Sequence, residues 1–222
     1  RVNRLLEGDA SLNRPISIFE RPFVSTFHSL GVHILKENSK LLDIPRHFTI
    51  FDRQDSISAT KEAIKESNLD PKQYEPAKIL GAISKRKGEG ISFTDFRERA
   101  QAAYFRDHIE QVLVSVWEKY EERLRKEKAL DFDDLLLRTL LLLKAAPKVL
   151  EHYQNTWSHI HIDEYQDTNR VQYDMAKLLA ARDKNICVVG DIDQSIYSWR
   201  GADFKNIMRF EKDYQNAEVI LL

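Results

Sequence analysis

Ile160-His161-Ile162-Asp163-Glu164 and, further on, Ile186-Cys187-Val188-Val189-Gly190-Asp191 are the stretches that decide the fold. Each is a short run rich in β-branched residues that ends in an acidic residue. Between them, Arg170 to Ala181 carries the spacing of a helix. After them come a helical pattern from Asp203 to Lys212 and a strand-like run from Glu218 to Leu222. Strands separated by helices of this length predict a parallel sheet with crossover helices. Parallel sheets place ligand sites at the carboxyl ends of their strands, and both acidic segments fall there.

Working outward, Phe23-Val24-Ser25-Thr26 reads as a short strand, His28 to Leu42 as a helix and Phe48-Thr49-Ile50-Phe51 as a second strand. From Arg53 to Lys128 helical patterns take over: Gln54 to Ser67, Pro76 to Lys85, and Asp95 to Lys128. Pro71 and the stretch Lys85-Arg86-Lys87-Gly88-Glu89-Gly90 separate them. The expected fold class is therefore α/β. A parallel-sheet core built from residues 1–52 and 129–222 is interrupted by an all-helical insertion, 53–128.

Composition narrows the function little. Lys plus Arg (34) nearly balances Asp plus Glu (35) over 222 residues, so any nucleic-acid site must be a local basic patch. One cysteine, Cys187, excludes an internal disulfide and a thiolate zinc site, and fits a reducing, cytoplasmic setting. The longest apolar run, Leu140 to Leu143, falls far short of the ~20 residues of a membrane span. The chain opens on Arg1 with no starting Met or signal-peptide profile, as expected of a piece of a longer protein.

An apolar strand ending in Asp163-Glu164 is the Walker B arrangement of nucleotide hydrolases. Carboxylates are the hard oxygen ligands Mg²⁺ requires, and a second carboxylate can orient or deprotonate the attacking water. The same pair also fits the start of the next helix, with Asp167 or Thr168 as its cap. Beyond Gly190-Asp191 the chain presents Gln194, Tyr197, Trp199 and Arg200 within a few residues. An amide can sense a terminal phosphate, and aromatics beside an Arg form a platform for unpaired bases. Alternatively, Tyr197 and Trp199 are core aromatics with Arg200 as their partner.

Asp-Glu-Tyr-Gln-Asp-Thr-Asn (163–169) and Gly-Asp-Ile-Asp-Gln-Ser-Ile-Tyr-Ser-Trp-Arg-Gly-Ala (190–202) resemble motifs II and III of the superfamily 1 DNA helicases of the UvrD/Rep/PcrA type. Ser25-Thr26-Phe27-His28-Ser29 resembles the family's motif Ib, and Leu130-Asp131-Phe132-Asp133-Asp134-Leu135 another recurring segment. The resemblance covers essentially the whole chain. It implies a partial RecA-like motor core that works with ATP and Mg²⁺. Asp163 would hold the metal through water, Glu164 would be the catalytic base, and Gln194 would contact the γ-phosphate. Tyr197 and Trp199 would stack on single-stranded DNA, with Arg200 beside them, and Thr26 and His28 would touch the DNA backbone. The insertion would contact the duplex at the junction, and Lys85, Arg86 and Lys87 are its candidate phosphate contacts. A plain solvated loop is the competing reading of that run.

No G-x-x-x-x-G-K-[ST] phosphate loop occurs in the chain. In the family it lies upstream of Arg1, and the second motor domain lies downstream. The fragment alone is thus expected to be inactive, with the remaining helicase domains as its partners. As an intact protein the expectation is an ATP-dependent 3′-to-5′ DNA helicase of repair or replication. Rival readings are a helicase–nuclease subunit of the AddA or RecB kind and a DNA-binding module without ATPase activity. Two other chemistries fail. His28 and Ser29 have no acid partner for a hydrolase triad. Asp131-Phe132-Asp133-Asp134 lacks the EF-hand Gly and Glu, since Leu136 and Leu142 stand there. Asp131 is instead expected to cap a Leu-rich helix from Phe132 to Lys144.

Overall fold

The computed structural model describes residues 22–102, 108–194 and 205–221. Helix α1 (Phe27–Glu37) begins at Thr26, whose extended backbone and Oγ1 acceptor, 3.2 Å from Ser29 N, cap it. It ends earlier than its sequence pattern implied. Asn38 closes it, and a 3₁₀ turn over Ser39–Leu41 carries the chain on. The strand expected at Phe23–Thr26 is irregular: Thr26 is committed to the cap, and Phe23 stacks on Trp157 with ring centroids 5.5 Å apart.

Strand β1 (Thr49–Phe51) pairs in parallel with β2 (Ala129–Asp131), in the register Thr49 to Ala129 and Phe51 to Asp131. Between these neighbours lie α2 (Arg53–Glu66), α3 (Pro76–Gly88), α4 (Phe93–Ala102) and α5 (His108–Lys126). They share a core of Ile64, Ile83, Val116, Trp117, Tyr120 and Leu124, which also takes in Phe51 and Ala129. Of the single helix expected over 95–128, α4 and α5 are the described parts, and residues 103–107 between them lie outside the described residues. Helix α3 also runs through the basic stretch rather than stopping before it. The left-handed turn that ends this segment is at Gly90 (φ +82°), and the cations sit favourably in the last helical turn.

Strand β2 runs straight into α6 (Phe132–Ala145). Asp131 caps it by accepting from Asp134 N at 2.7 Å, and the Asp134 side chain answers at Asp131 N, as the sequence predicted. Leu135, Leu136, Leu137, Leu140, Leu142 and Leu143 are all buried, so α6 is apolar around most of its girth and is central. Helices α1, α7 (Pro147–Thr156) and α8 (Arg170–Ala180) pack around it. A Cβ at Gly31 of α1 would come within 2.4 Å of the Leu135 carbonyl oxygen, so α1 and α6 meet backbone to backbone there.

Strand β3 (Ile160–Ile162) pairs in parallel with β4 (Ile186–Val188), with α8 as the crossover between them. Helix α9 (Lys205–Asp213) sets Phe210 against Ile162, Tyr165 and Tyr173. Residues 218–221 form no strand, and Val219, Ile220 and Leu221 stand exposed with no partner strand among the described residues. The result is a helix-rich α/β chain with two short parallel pairs. Among the described residues no helix is long and apolar enough to cross a membrane.

Candidate active site

The β3–β4 pairing continues past the strand ends. Val189 N donates to Ile162 O at 2.8 Å, and Tyr165 N donates back to Val189 O at 2.9 Å. The loop after β3 is therefore stitched to the loop after β4. Asp163 and Glu164 are exposed at this tip. Asp163 Oδ1 accepts the Glu164 N–H at 2.9 Å, and Glu164 adopts the left-handed conformation (φ 52°, ψ 44°). For a residue with a side chain that costs on the order of 1–2 kcal/mol, so the surrounding contacts must hold it.

Gln166 supplies one of those contacts. It is buried, at 1% exposure. Its Nε2 donates to Glu164 Oε2 at 2.7 Å, and its Oε1 accepts the Asp191 N–H at 3.0 Å. Asp191 Oδ2 in turn accepts from Gln194 Nε2 at 2.7 Å. A continuous path thus joins Glu164, Gln166, Asp191 and Gln194. Gly190 makes room for it, since a Cβ there would lie 2.6 Å from Gln166 Oε1. Sequence reasoning assigned no role to Gln166 or Asp191. The available signal was a polar residue inside a segment that packs as core.

The turn between the acids and α8 is also fixed. Thr168 Oγ1 donates to Tyr165 O at 2.7 Å, and the buried Asn206 of α9 donates to Thr168 O at 2.9 Å. Neither Asp167 nor Thr168 caps α8. Asn169 does, in a capping box with Gln172, and the acidic pair stands a 3₁₀ turn away from the helix start. Among the described residues no three His, Cys, Asp or Glu side chains gather as a metal cage. A magnesium that keeps most of its waters does not require one, and an exposed strand-tip carboxylate such as Asp163 fits that mode.

Of the candidate nucleic-acid contacts, Thr26 is exposed and His28 is half-buried. Burial lowers the His28 pKa and nearby Asp133 opposes the shift. His28 meets the ring of Phe132 edge-on at 5.5 Å, and Phe132 is 50% exposed. Sequence reasoning gives Phe132 no role of its own, because the segment reads as a helix cap. Tyr197, Trp199 and Arg200 lie outside the described residues. The basic run divides. Lys85 is exposed, whereas Arg86 is partly buried over Phe96 and 3.8 Å from Glu110.

Lys87 is a correction: it is 1% exposed and cannot meet a phosphate. Its Nζ lies 2.9 Å from Asp131, 2.8 Å from Asp134 and 3.0 Å from Glu121, which answer the cost of burying an ammonium. Burial pulls its pKa down, but Asp131, Asp134 and Glu121 outweigh that and hold it well above the ordinary lysine range. The sequence did carry the signal. Ile79, Ile83 and Lys87 recur at every fourth position, on the buried face of α3.

Residues 1–215 match the family model described as the UvrD/REP helicase N-terminal domain. Over 200 residues, 90% of this chain, it is 50% identical to a Bacillus subtilis (strain 168) protein named ATP-dependent DNA helicase PcrA, and covers 26% of that protein. Proteins of the same name from Staphylococcus aureus (strain Mu50 / ATCC 700699) and Staphylococcus epidermidis are 47% and 46% identical over the same share of the chain, each covered to 27%. The chain thus spans about a quarter of the length of these curated relatives. With two strand tips joined through Gln166 and a family match over nearly its whole length, this chain belongs to the UvrD/REP helicase N-terminal domain family.

Proposed function

We propose that the chain forms part of the first motor domain of an ATP-dependent 3′-to-5′ DNA helicase acting in repair or replication. Residues 1–52 and 129–222 are its partial RecA-like core, and 53–128 a helical insertion that faces the duplex. The observation that carries this reading is the hydrogen-bonded path from Glu164 through Gln166 and Asp191 to Gln194. It joins the carboxylate proposed to activate water to the amide proposed to sense the phosphate.

In this reading Asp163 holds Mg²⁺ through water. Glu164 takes the proton of the attacking water, and Gln194 contacts the γ-phosphate. The metal, when bound, supplies positive charge to the phosphate oxygens. A shift of Gln194 as the nucleotide changes passes to Tyr197, Trp199 and Arg200 further along the same segment, where single-stranded bases stack. Thr26 and His28 contact the strand backbone, and the exposed Phe132 ring extends that surface. Lys85 and, less freely, Arg86 are the phosphate contacts of the insertion. Support for the substrate comes from the names of the relatives and from this exposed aromatic and polar face.

Strand displacement on tailed duplexes tests the reading. With ATP and Mg²⁺, the intact parent protein is expected to unwind a duplex with a 3′ single-stranded tail far better than one with a 5′ tail. It should also hydrolyse ATP faster when single-stranded DNA is added. Hydrolysis indifferent to DNA, or a preference for the 5′ tail, would contradict it.

A further inference from the structure

Four consecutive residues, Asp131 to Asp134, touch three parts of the molecule. Asp131 and Asp134 hold Lys87 of α3, and Tyr120 of α5 donates to Asp131 Oδ2 at 2.9 Å. Glu121 of α5 completes the shell, itself held by Trp117 Nε1 at 3.0 Å and by Arg138 of α6 at 3.4 Å. Burial raises the pKa of Asp133, between them, and Ser84 and Lys87 of α3 and His28 of α1 oppose the shift. Phe132 meets His28 edge-on. The first turn of α6 is therefore in contact with the helical segment on one side and with His28 of α1 on the other.

Stability alone explains this arrangement poorly. An ammonium among three carboxylates, with Arg138 as a second cation, carries a large desolvation penalty, and an apolar side chain of the same size often packs as well or better. What such a network adds is direction. Its short contacts are satisfied together only when α3, α5, β2 and α6 hold one relative orientation. Leaving any one of the carboxylates unpaired in the interior is costly, so intermediate orientations are disfavoured.

We propose that Lys87 is a positioning residue that locks helices α2–α5 to the first turn of α6, so that the helical segment and the His28–Phe132 surface move as one body. On the helicase reading, on which this rests, the lock couples advance along the single strand to separation of the duplex. Lys87 touches neither nucleotide nor DNA.

The test uses the intact parent protein and compares wild type with Lys87→Met. Two activities are read: ATP turnover stimulated by single-stranded DNA, and unwinding of a 3′-tailed duplex. The lock predicts turnover within about twofold of wild type and unwinding reduced about tenfold or more, a split that a purely structural role does not give. Loss of both in proportion, or of neither, overturns it. Should Lys87→Met fail to fold, Lys87→Met/Asp134→Asn removes one buried negative charge along with the lysine, and the same split is required of it. A third readout is independent of helicase activity. The distance between spin labels at exposed positions 61 in α2 and 151 in α7 is expected to be narrow in wild type and broadened in the variant. An unchanged distance distribution overturns the lock even if the parent proves not to unwind DNA. Wild type that fails to unwind while the variant broadens the distance overturns only the helicase reading.

Discussion

Gln166 holds two loops with the two ends of one amide, and it tolerates little crowding. A methyl group at Gly190 would press on its Oε1 from 2.6 Å, with the backbone nitrogens of Gln166 and Tyr165 each 3.3 Å away. Gly190→Ala is therefore expected to destabilise the chain by about 1–3 kcal/mol and to detach Asp191 from Gln166. Thermal unfolding reads the first effect and DNA-stimulated ATP turnover in the parent the second. Full turnover with a displaced Gln166 would show that the path is not used. Phe132 presents the opposite case, since its ring is half exposed and little packing is lost with it. Phe132→Ala and Trp199→Ala are each expected to weaken single-strand binding by about 1–3 kcal/mol, measured by titration at two salt concentrations. Unchanged affinity would remove either ring from the strand contact, and for Trp199 a lower melting temperature beside it would favour the core-aromatic reading.

At the level of elements, the caps of α1 and α6 and the helical periodicity were legible, and the positions of polar groups were not. Asp131 at the head of the Leu-rich α6 and Thr26 at the head of α1 cap as their residue types predict. The β3–α8–β4 unit follows directly from the alternation of its sequence. Strand runs that need a distant partner were over-read. Phe23–Thr26 and 218–221 have strand-like residues, but their ladders are not satisfied by any neighbour among the described residues. Lys87 was misread for a related reason. Charge in a basic run signals solvent, and only its register with Ile79 and Ile83 gives away a buried face. Asn169 was passed over for Asp167 and Thr168 because three capping residue types stand in a row, and the 3₁₀ turn decides among them. Asn169→Ala should cost about 1 kcal/mol of stability by chemical denaturation, whereas Thr168→Ala acts through the loss of its contacts with Tyr165 and Asn206. Equal stability of Asn169→Ala and wild type would show that the cap contributes nothing.

Across the whole molecule, two short parallel pairs are bridged by the central α6, and the elements fall into two groups. Helices α2–α5 build their own core between β1 and β2, and α1, α7, α8 and α9 surround α6 and the β3–β4 tip. Asp163, Glu164, Gln166, Asp191 and Gln194 converge on that tip. The His28–Phe132 surface and the buried Lys87 network both contact the first turn of α6. In the proposed reading the phosphate loop comes from elsewhere in the parent protein, and this chain contributes the water-activating carboxylate and the segment that reports on the phosphate.

Glu164 is where that account is most exposed. In the intact parent, Glu164→Gln is expected to bind ATP as wild type does while DNA-stimulated hydrolysis falls about 10²–10⁴-fold. Near-normal turnover in that variant would contradict it.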